Sequence, residues 1–249
     1  METIKIVGCP KVSDEFFALI KTHWSDSIKS IHVEAQKNVT QDAIQFIAGC
    51  PVLASLEMIN IGFTSIGQQF SFDDAVLQFA EGSPLLKHIN IPCCRFITDQ
   101  VVSYFFDLCP LLESLYIPGS ANISDESLAI VALNAPDQML ALDVSQCPRL
   151  TRSGFDSLFD VQSNLQSVFI SYHNSAVDDD LVLKLIVNNP NLQQLDLKSC
   201  PKLYGHCLLK PAINPHVLNN IALDFNPQIQ SEVVSKIKKR FKFVTTSLV

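Results

Sequence analysis

The stretch that decides the fold is Pro84-Leu85-Leu86-Lys87-His88-Ile89-Asn90-Ile91-Pro92-Cys93-Cys94-Arg95-Phe96-Ile97-Thr98-Asp99-Gln100-Val101-Val102-Ser103-Tyr104-Phe105-Phe106-Asp107-Leu108-Cys109-Pro110. Leu86, Ile89 and Ile91 set an apolar L-x-x-L-x-L frame; Cys94 and Ile97 follow at intervals of three, and Thr98-Asp99 opens an apolar run that stops at Cys109-Pro110. The frame reads as a short strand, because its fourth and sixth residues point one way from the pleat and those between them point the other. The run after Thr98 reads as a helix: a threonine hydroxyl can accept a bond from a free amide at its start, and a proline cannot continue it.

Working outward, the same frame begins at Met1, Ile28, Leu53, Leu86, Leu112, Met139, Leu165, Leu192 and Leu218. Successive starts are 25 to 27 residues apart, except for the 33 between Leu53 and Leu86. A fixed period of this size headed by L-x-x-L-x-L is the signature of a leucine-rich repeat, one strand and one returning helix per unit. Thr40, Ser124 and Thr151 fall at the site of Thr98, and Pro51, Pro84, Pro110, Pro136 and Pro190 recur as stops. The expected fold is therefore an α/β leucine-rich-repeat solenoid, a horseshoe with a parallel sheet on the concave face and helices on the convex face. Residues 1–249 are expected to form a single domain of about nine repeats.

Composition sets the outer bounds. Hydrophobic residues make up 47% and charged residues 17%, which suits one long shared core rather than disorder. No run of about 18 apolar residues is present, so no membrane span is expected, and the N-terminus lacks the pattern of a secretory signal. A net charge of -7 opposes nucleic-acid binding, which needs clustered Lys and Arg. The one basic cluster, Lys236 to Lys242, reads as a solvated face of the last repeat, with a nuclear import signal as the alternative; its alternation with Ile237, Phe241 and Phe243 favours the first.

Met1, Ile4 and Ile6 already fit the strand frame, so the repeats start at residue 1 and the N-terminal end is expected to be covered by another domain or subunit. A first helix is predicted from Ser13-Asp14 to Trp24 and a second from Thr40 to Gly49. The longer third unit implies an insertion near 62–74, a place where solenoids shape binding faces. Ser231 to Lys239 reads as a last helix and Arg240 to Thr246 as a closing strand, a C-terminal cap near 231–249.

Four of the eight cysteines, Cys9, Cys94, Cys147 and Cys200, share one repeat position, three residues past the sixth-position apolar residue. Cys147 and Cys200 are two repeats apart, hence separated by about 10 Å at a strand spacing near 4.8 Å, beyond the roughly 7 Å reach of a disulfide. They read as small buried thiols. Cys200, His206 and Cys207 lack the spacing of a zinc motif. Free thiols imply a reducing compartment, cytoplasmic or nuclear.

The pattern Cys-Pro-x-Leu-x-x-Leu-x-Ile followed by Cys-x-x-Ile-Thr-Asp resembles the cysteine-containing class of leucine-rich repeats over almost the whole chain. At Cys109 to Asp125 it reads Cys-Pro-Leu-Leu-Glu-Ser-Leu-Tyr-Ile and then Ile123-Ser124-Asp125, with Ser120 in place of the ladder cysteine. The resemblance implies protein recognition, as in the F-box and leucine-rich-repeat subunits that select substrates for cullin-type (SCF) ubiquitin ligases. The implied partners are a protein substrate and ubiquitin-ligase components. With repeats from residue 1 there is no room for an F-box, so a non-ligase scaffold in another stable complex is the alternative. A small-ligand-dependent receptor, as in plant hormone receptors of this repeat class, is the third reading. It is disfavoured because an inositol phosphate cofactor needs converging cations and the concave columns offer only Lys5 and Lys198. No cofactor or metal is expected.

Repeat arithmetic places a fifth-position column, Lys5, His32, Glu57, Asn90, Tyr116, Asp143, Phe169, Asp196 and Ala222, on the concave surface beside a seventh-position column that includes Glu34, Ser145, Ser171, Lys198 and Asp224. The candidate partner-binding residues are Glu57, His88, Asn90, Tyr116, Asp143, Phe169, Asp196 and Lys198. Tyr116, Asp143 and Phe169 are expected on adjacent strands, an aromatic pair around a carboxylate of the kind that dominates interfaces, and Asp143 with Asp196 would favour a basic segment. His88 and His173 are placed at the concave side or its rim. No nucleophile pairs with either, and the sequence has no G-x-S-x-G, Gly-rich phosphate loop or H-E-x-x-H, so catalysis is not expected.

Overall fold

The computed structural model describes residues 2–40, 42–59, 72–134, 138–173 and 175–247. It is an α/β leucine-rich-repeat solenoid in which parallel strands alternate with helices, and it divides into two compact units, Met1–Asn122 and Ile123–Val249. The first unit runs β1 (Thr3–Val7), α1 (Glu15–Trp24), β2 (Ser30–Glu34), α2 (Asp42–Phe46), β3 (Ser55–Ile59), α3 (Phe72–Glu81), β4 (His88–Asn90), α4 (Asp99–Leu108) and β5 (Ser114–Tyr116). The second runs α5 (Asp125–Asn134), β6 (Ala141–Asp143), α6 (Arg152–Val161), β7 (Ser167–Phe169), α7 (Asp179–Asn188), β8 (Gln194–Asp196), a 3-10 turn (His206–Leu209), β9 (Asn220–Ala222), α8 (Ser231–Arg240) and β10 (Phe243–Thr245). The predicted insertion falls largely outside the described residues; residues 72–74 of it form the first turn of α3.

Within each unit every strand pairs in parallel with the next. Burial alternates with period two, as in β2, where Ile31 and Val33 are fully buried and Ser30, His32 and Glu34 are not. Helices α3 to α7 each bury one stripe at i, i+1, i+4 and i+5, for example Val101, Val102, Phe105 and Phe106 in α4, and Leu181, Val182, Leu185 and Ile186 in α7. That stripe is the face an amphipathic helix turns to a core. The eighth repeat departs, with four residues of 3-10 helix where its neighbours have ten of α-helix.

Two columns run beside the strands. The residue two past the sixth position has a left-handed backbone in every described repeat: Gly8, Ala35, Cys93, Gly119, Gln146, Tyr172, Ser199 and Phe225, with φ from 52° to 74°. The residue after it carries the ladder side chain: Cys9, Gln36, Cys94, Ser120, Cys147, His173, Cys200 and Asn226. In three repeats of the second unit that side chain donates to the sixth-position carbonyl of the preceding repeat, His173 Nε2 to Val144 O (2.9 Å), Cys200 Sγ to Ile170 O (3.5 Å) and Asn226 Nδ2 to Leu197 O (2.8 Å), while Cys147 Sγ donates to Ser145 O (3.5 Å). The position thus selects a small buried donor rather than a thiol as such. Ser120 fits the slot, but its Oγ has no hydrogen-bond partner.

Two expectations are corrected here. Cys9 is exposed, unlike the fully buried Cys94, Cys147 and Cys200; its repeat pairs on one side only. His173 is 4% exposed and packs edge-on against Phe155 at 5.1 Å, away from the sheet face, because it holds a ladder slot. Burial lowers its pKa below the ordinary 6.5. The unfolded chain then binds the proton more readily than the folded one, so this contribution to stability is present above 6.5 and is lost as pH falls through the folded value. His173→Asn keeps the donor, as Asn226 shows, and should flatten that acid-side fall in urea midpoint between wild type and variant; an unchanged slope would assign it elsewhere.

The aspartate of Ile-Thr-Asp has a structural use that the motif does not announce. Asp14 accepts from both the amide and the hydroxyl of Thr40 (2.7 Å each), and Asp125 does the same for Thr151 in the next repeat. Asp179 takes the amides of Tyr204, Gly205 and Cys207. Thr98 caps α4 as predicted, accepting from Val101 N at 3.3 Å, whereas Thr151 makes no cap bond and its hydroxyl donates to Asp125.

Candidate functional site

The strand registers place the outward residues in rows. In the first unit Lys5, His32, Glu57, Asn90 and Tyr116 stand side by side along β1 to β5. His32 lies between two carboxylates, with Nδ1 2.5 Å from Glu57 Oε2 and Nε2 3.4 Å from Glu34 Oε2. His88 is on the same face, its Nδ1 3.1 Å from Ser114 Oγ, and Lys87 pairs with Glu113 at 2.7 Å. On this face His32, Glu57 and His88 are thus each engaged by a neighbouring side chain.

In the second unit Asp143, Phe169, Asp196, Ala222 and Thr245 form the corresponding row along β6 to β10. Phe169 stands directly between the two aspartates, and all three are half-buried. Asp196 is the more engaged carboxylate: Ser171 Oγ donates to Oδ1 at 2.5 Å and Lys198 Nζ lies 3.0 Å from Oδ2. The Asp196 carboxylate in turn holds the Lys198 ammonium above its ordinary pKa. Repeat arithmetic put Asp196 and Lys198 in two separate columns and so missed that they neutralise each other.

Asp143 Oδ1 accepts from the Ser145 amide at 2.9 Å. Burial pushes its pKa up, with the Asp196 charge adding to the rise and the Ser145 bonds opposing it. A raised carboxyl pKa stabilises the fold below the unfolded value, 3.8, and that stabilisation is lost as pH rises through the folded value. At neutral pH the charge is therefore held at a cost, and Asp143→Asn, which keeps the acceptor for Ser145, should raise the thermal midpoint at pH 7; a lowered midpoint would contradict this reading.

Three of the buried thiols are chemically quiet. Burial pushes Cys94 and Cys109 up to about 12 and Cys200 up to about 11, far from a reactive thiolate. Among the described residues no three His, Cys, Asp or Glu side chains are grouped to hold a metal ion, and no helix is long and apolar enough to cross a membrane.

No protein-family model matches the chain. Among solved structures, a chain in the crystal structure of the Rad7 and Elc1 complex in yeast superposes with a TM-score of 0.57 at 16% identity, covering 98% of this chain and 74% of that one. The leiomodin-1 actin-binding site 2 structure aligns with a TM-score of 0.40 at 15% identity over 49% of this chain and 76% of that one. The first likeness is one of fold.

Proposed function

We propose that this chain is a protein-recognition module whose sheet face reads a segment of a partner protein, in a substrate-selecting or adaptor role like that of the F-box and leucine-rich-repeat subunits of cullin-type ubiquitin ligases. The observation that carries it is the row Asp143, Phe169 and Asp196 on three neighbouring strands, a large apolar ring left half-open between carboxylates. Aromatic side chains in such places carry much of the energy of an interface, and a carboxylate held at a cost to stability is matched by a cationic partner group. Asp143 is the acid available to that group, since Asp196 is engaged by Lys198. The fold shared with a chain from a two-protein assembly, Rad7 with Elc1, supports a protein as the thing bound.

The test is purification from native cells with ubiquitin ligation blocked, followed by mass spectrometry of the co-purifying proteins, for wild type and Phe169→Ala. Recovery of a cullin and its small adaptor supports the ligase reading. Recovery of another stable complex without a cullin makes the chain a scaffold. Partners read by the sheet face should be depleted by Phe169→Ala, on the order of 30-fold in affinity for a hot-spot ring. An identical set of proteins at identical yield from the variant would remove the site.

A further inference from the structure

The column of left-handed residues holds a second feature. Among the described residues of this column only Gly8 and Gly119 are glycine; Ala35, Cys93, Gln146 and Ser199 share the conformation, and Tyr172 (φ 62°) and Phe225 (φ 61°), both in the second unit, are its two large aromatic side chains. A Cβ in this conformation approaches the following carbonyl oxygen and costs free energy that glycine avoids, and a bulky residue there is an outlier. Neither ring recovers the cost by burial, since Tyr172 is 45% and Phe225 53% exposed. Two residues that spend stability and stay open to solvent fit a binding role better than a packing one.

Their spacing is fixed by the sheet. Tyr172 N donates to Lys198 O at 2.8 Å and Ser199 N to Asp224 O at 3.0 Å, so Tyr172, Ser199 and Phe225 follow one another in the ladder beyond β7, β8 and β9. Two strand steps set the aromatic positions roughly 10 Å apart, with the small Ser199 between them. With both side chains turned toward Ser199, a flat cation standing over it would come within the range of about 6 Å for attraction to an aromatic face. The nearby charges are Asp224, Asp196 and Lys198, a net of one negative charge, and Asp224 is held by the Thr245 hydroxyl at 2.6 Å.

We propose that Tyr172 and Phe225, with Asp224, form a clamp for an arginine side chain of a partner protein. Arginine is favoured over lysine because its planar guanidinium stacks on aromatic rings while still donating to a carboxylate. The clamp lies at the edge of the face carrying Phe169 and extends the recognition reading above, but its test needs no partner, so either can fail alone.

The probe is Nα-acetyl-arginine methylamide, titrated against its neutral citrulline counterpart, with the ring signals of Tyr172 and Phe225 followed by NMR. Arginine should move both rings saturably in the millimolar range, and citrulline should bind about tenfold more weakly. Asp224→Asn should weaken arginine toward the citrulline value. Tyr172→Gly with Phe225→Gly should abolish the arginine-induced shift of the Ser199 amide signal, seen in the wild type, while the thermal midpoint stays level or rises. Unmoved rings, an equal response to citrulline, or a lowered midpoint in the double variant would each overturn the proposal, the last by showing the rings to be structural.

Discussion

Phe155→Ala is expected to lower the unfolding free energy by about 3–5 kcal/mol, a large share of the roughly 5–15 kcal/mol that holds a domain folded. Phe155 is fully buried on α6, its ring 5.9 Å from that of Phe159 and 5.1 Å from His173. Removing it takes a packing surface from two other rings at once, and His173 is tied to Val144 O and cannot follow into the gap without losing that bond. The cavity is therefore expected to persist, which puts the cost at the upper end for this kind of change. The urea midpoint should fall with little change in slope. A loss below about 1 kcal/mol would mean that the site collapses and that Phe155 is not a keystone of its unit.

Gly82→Ala is the second large effect, and it arises from overpacking. Gly82 follows α3, and a Cβ built on it would lie 2.4 Å from the amide nitrogen and 2.7 Å from the Cα of Gly49, which follows α2. Both are backbone atoms, so no side chain can swing away, and the two helix ends would have to separate. Overpacking of this kind costs about 1–3 kcal/mol and occasionally more. Gly49→Ala gives the contrast: its Cβ has space, with Lys21 Cε at 3.8 Å the nearest contact, but its φ of +90° disfavours any side chain. Thermal midpoints of the two variants should show Gly82→Ala as the more damaging. A neutral Gly82→Ala would mean that the helix layer yields there.

Much of the candidate site was legible because the signals are local and repeated. Leu86, Ile89 and Ile91 alternate with outward residues by the geometry of a pleat, and one register error would have put every side chain on the wrong face. The row Lys5, His32, Glu57, Asn90 and Tyr116 and the row Asp143, Phe169, Asp196 and Ala222 follow from adding one repeat at a time, and the observed registers reproduce both. His173 could have been found in the same way, since it stands three residues past Ile170 as Cys147 stands past Val144. Reading the ladder as a cysteine column hid it.

The amino-acid sequence by itself determined the repeat, the inward and outward faces, and the starts and stops of most helices, because each depends on residues a few positions apart. Tertiary structure decided what joins one repeat to the next. The ladder accepts cysteine, histidine or asparagine because all three donate to a carbonyl one repeat back, and a requirement for a donor leaves no single letter in the chain. Asp14 and Asp125 brace threonines 26 residues away, and Asp196 is neutralised by a lysine two residues on. The left-handed turn that carries Tyr172 and Phe225 is invisible in their identities, since the conformation ordinarily calls for glycine. Bonds and backbone angles of this kind exist only once neighbouring repeats are stacked, and there the sheet sets which side chains meet.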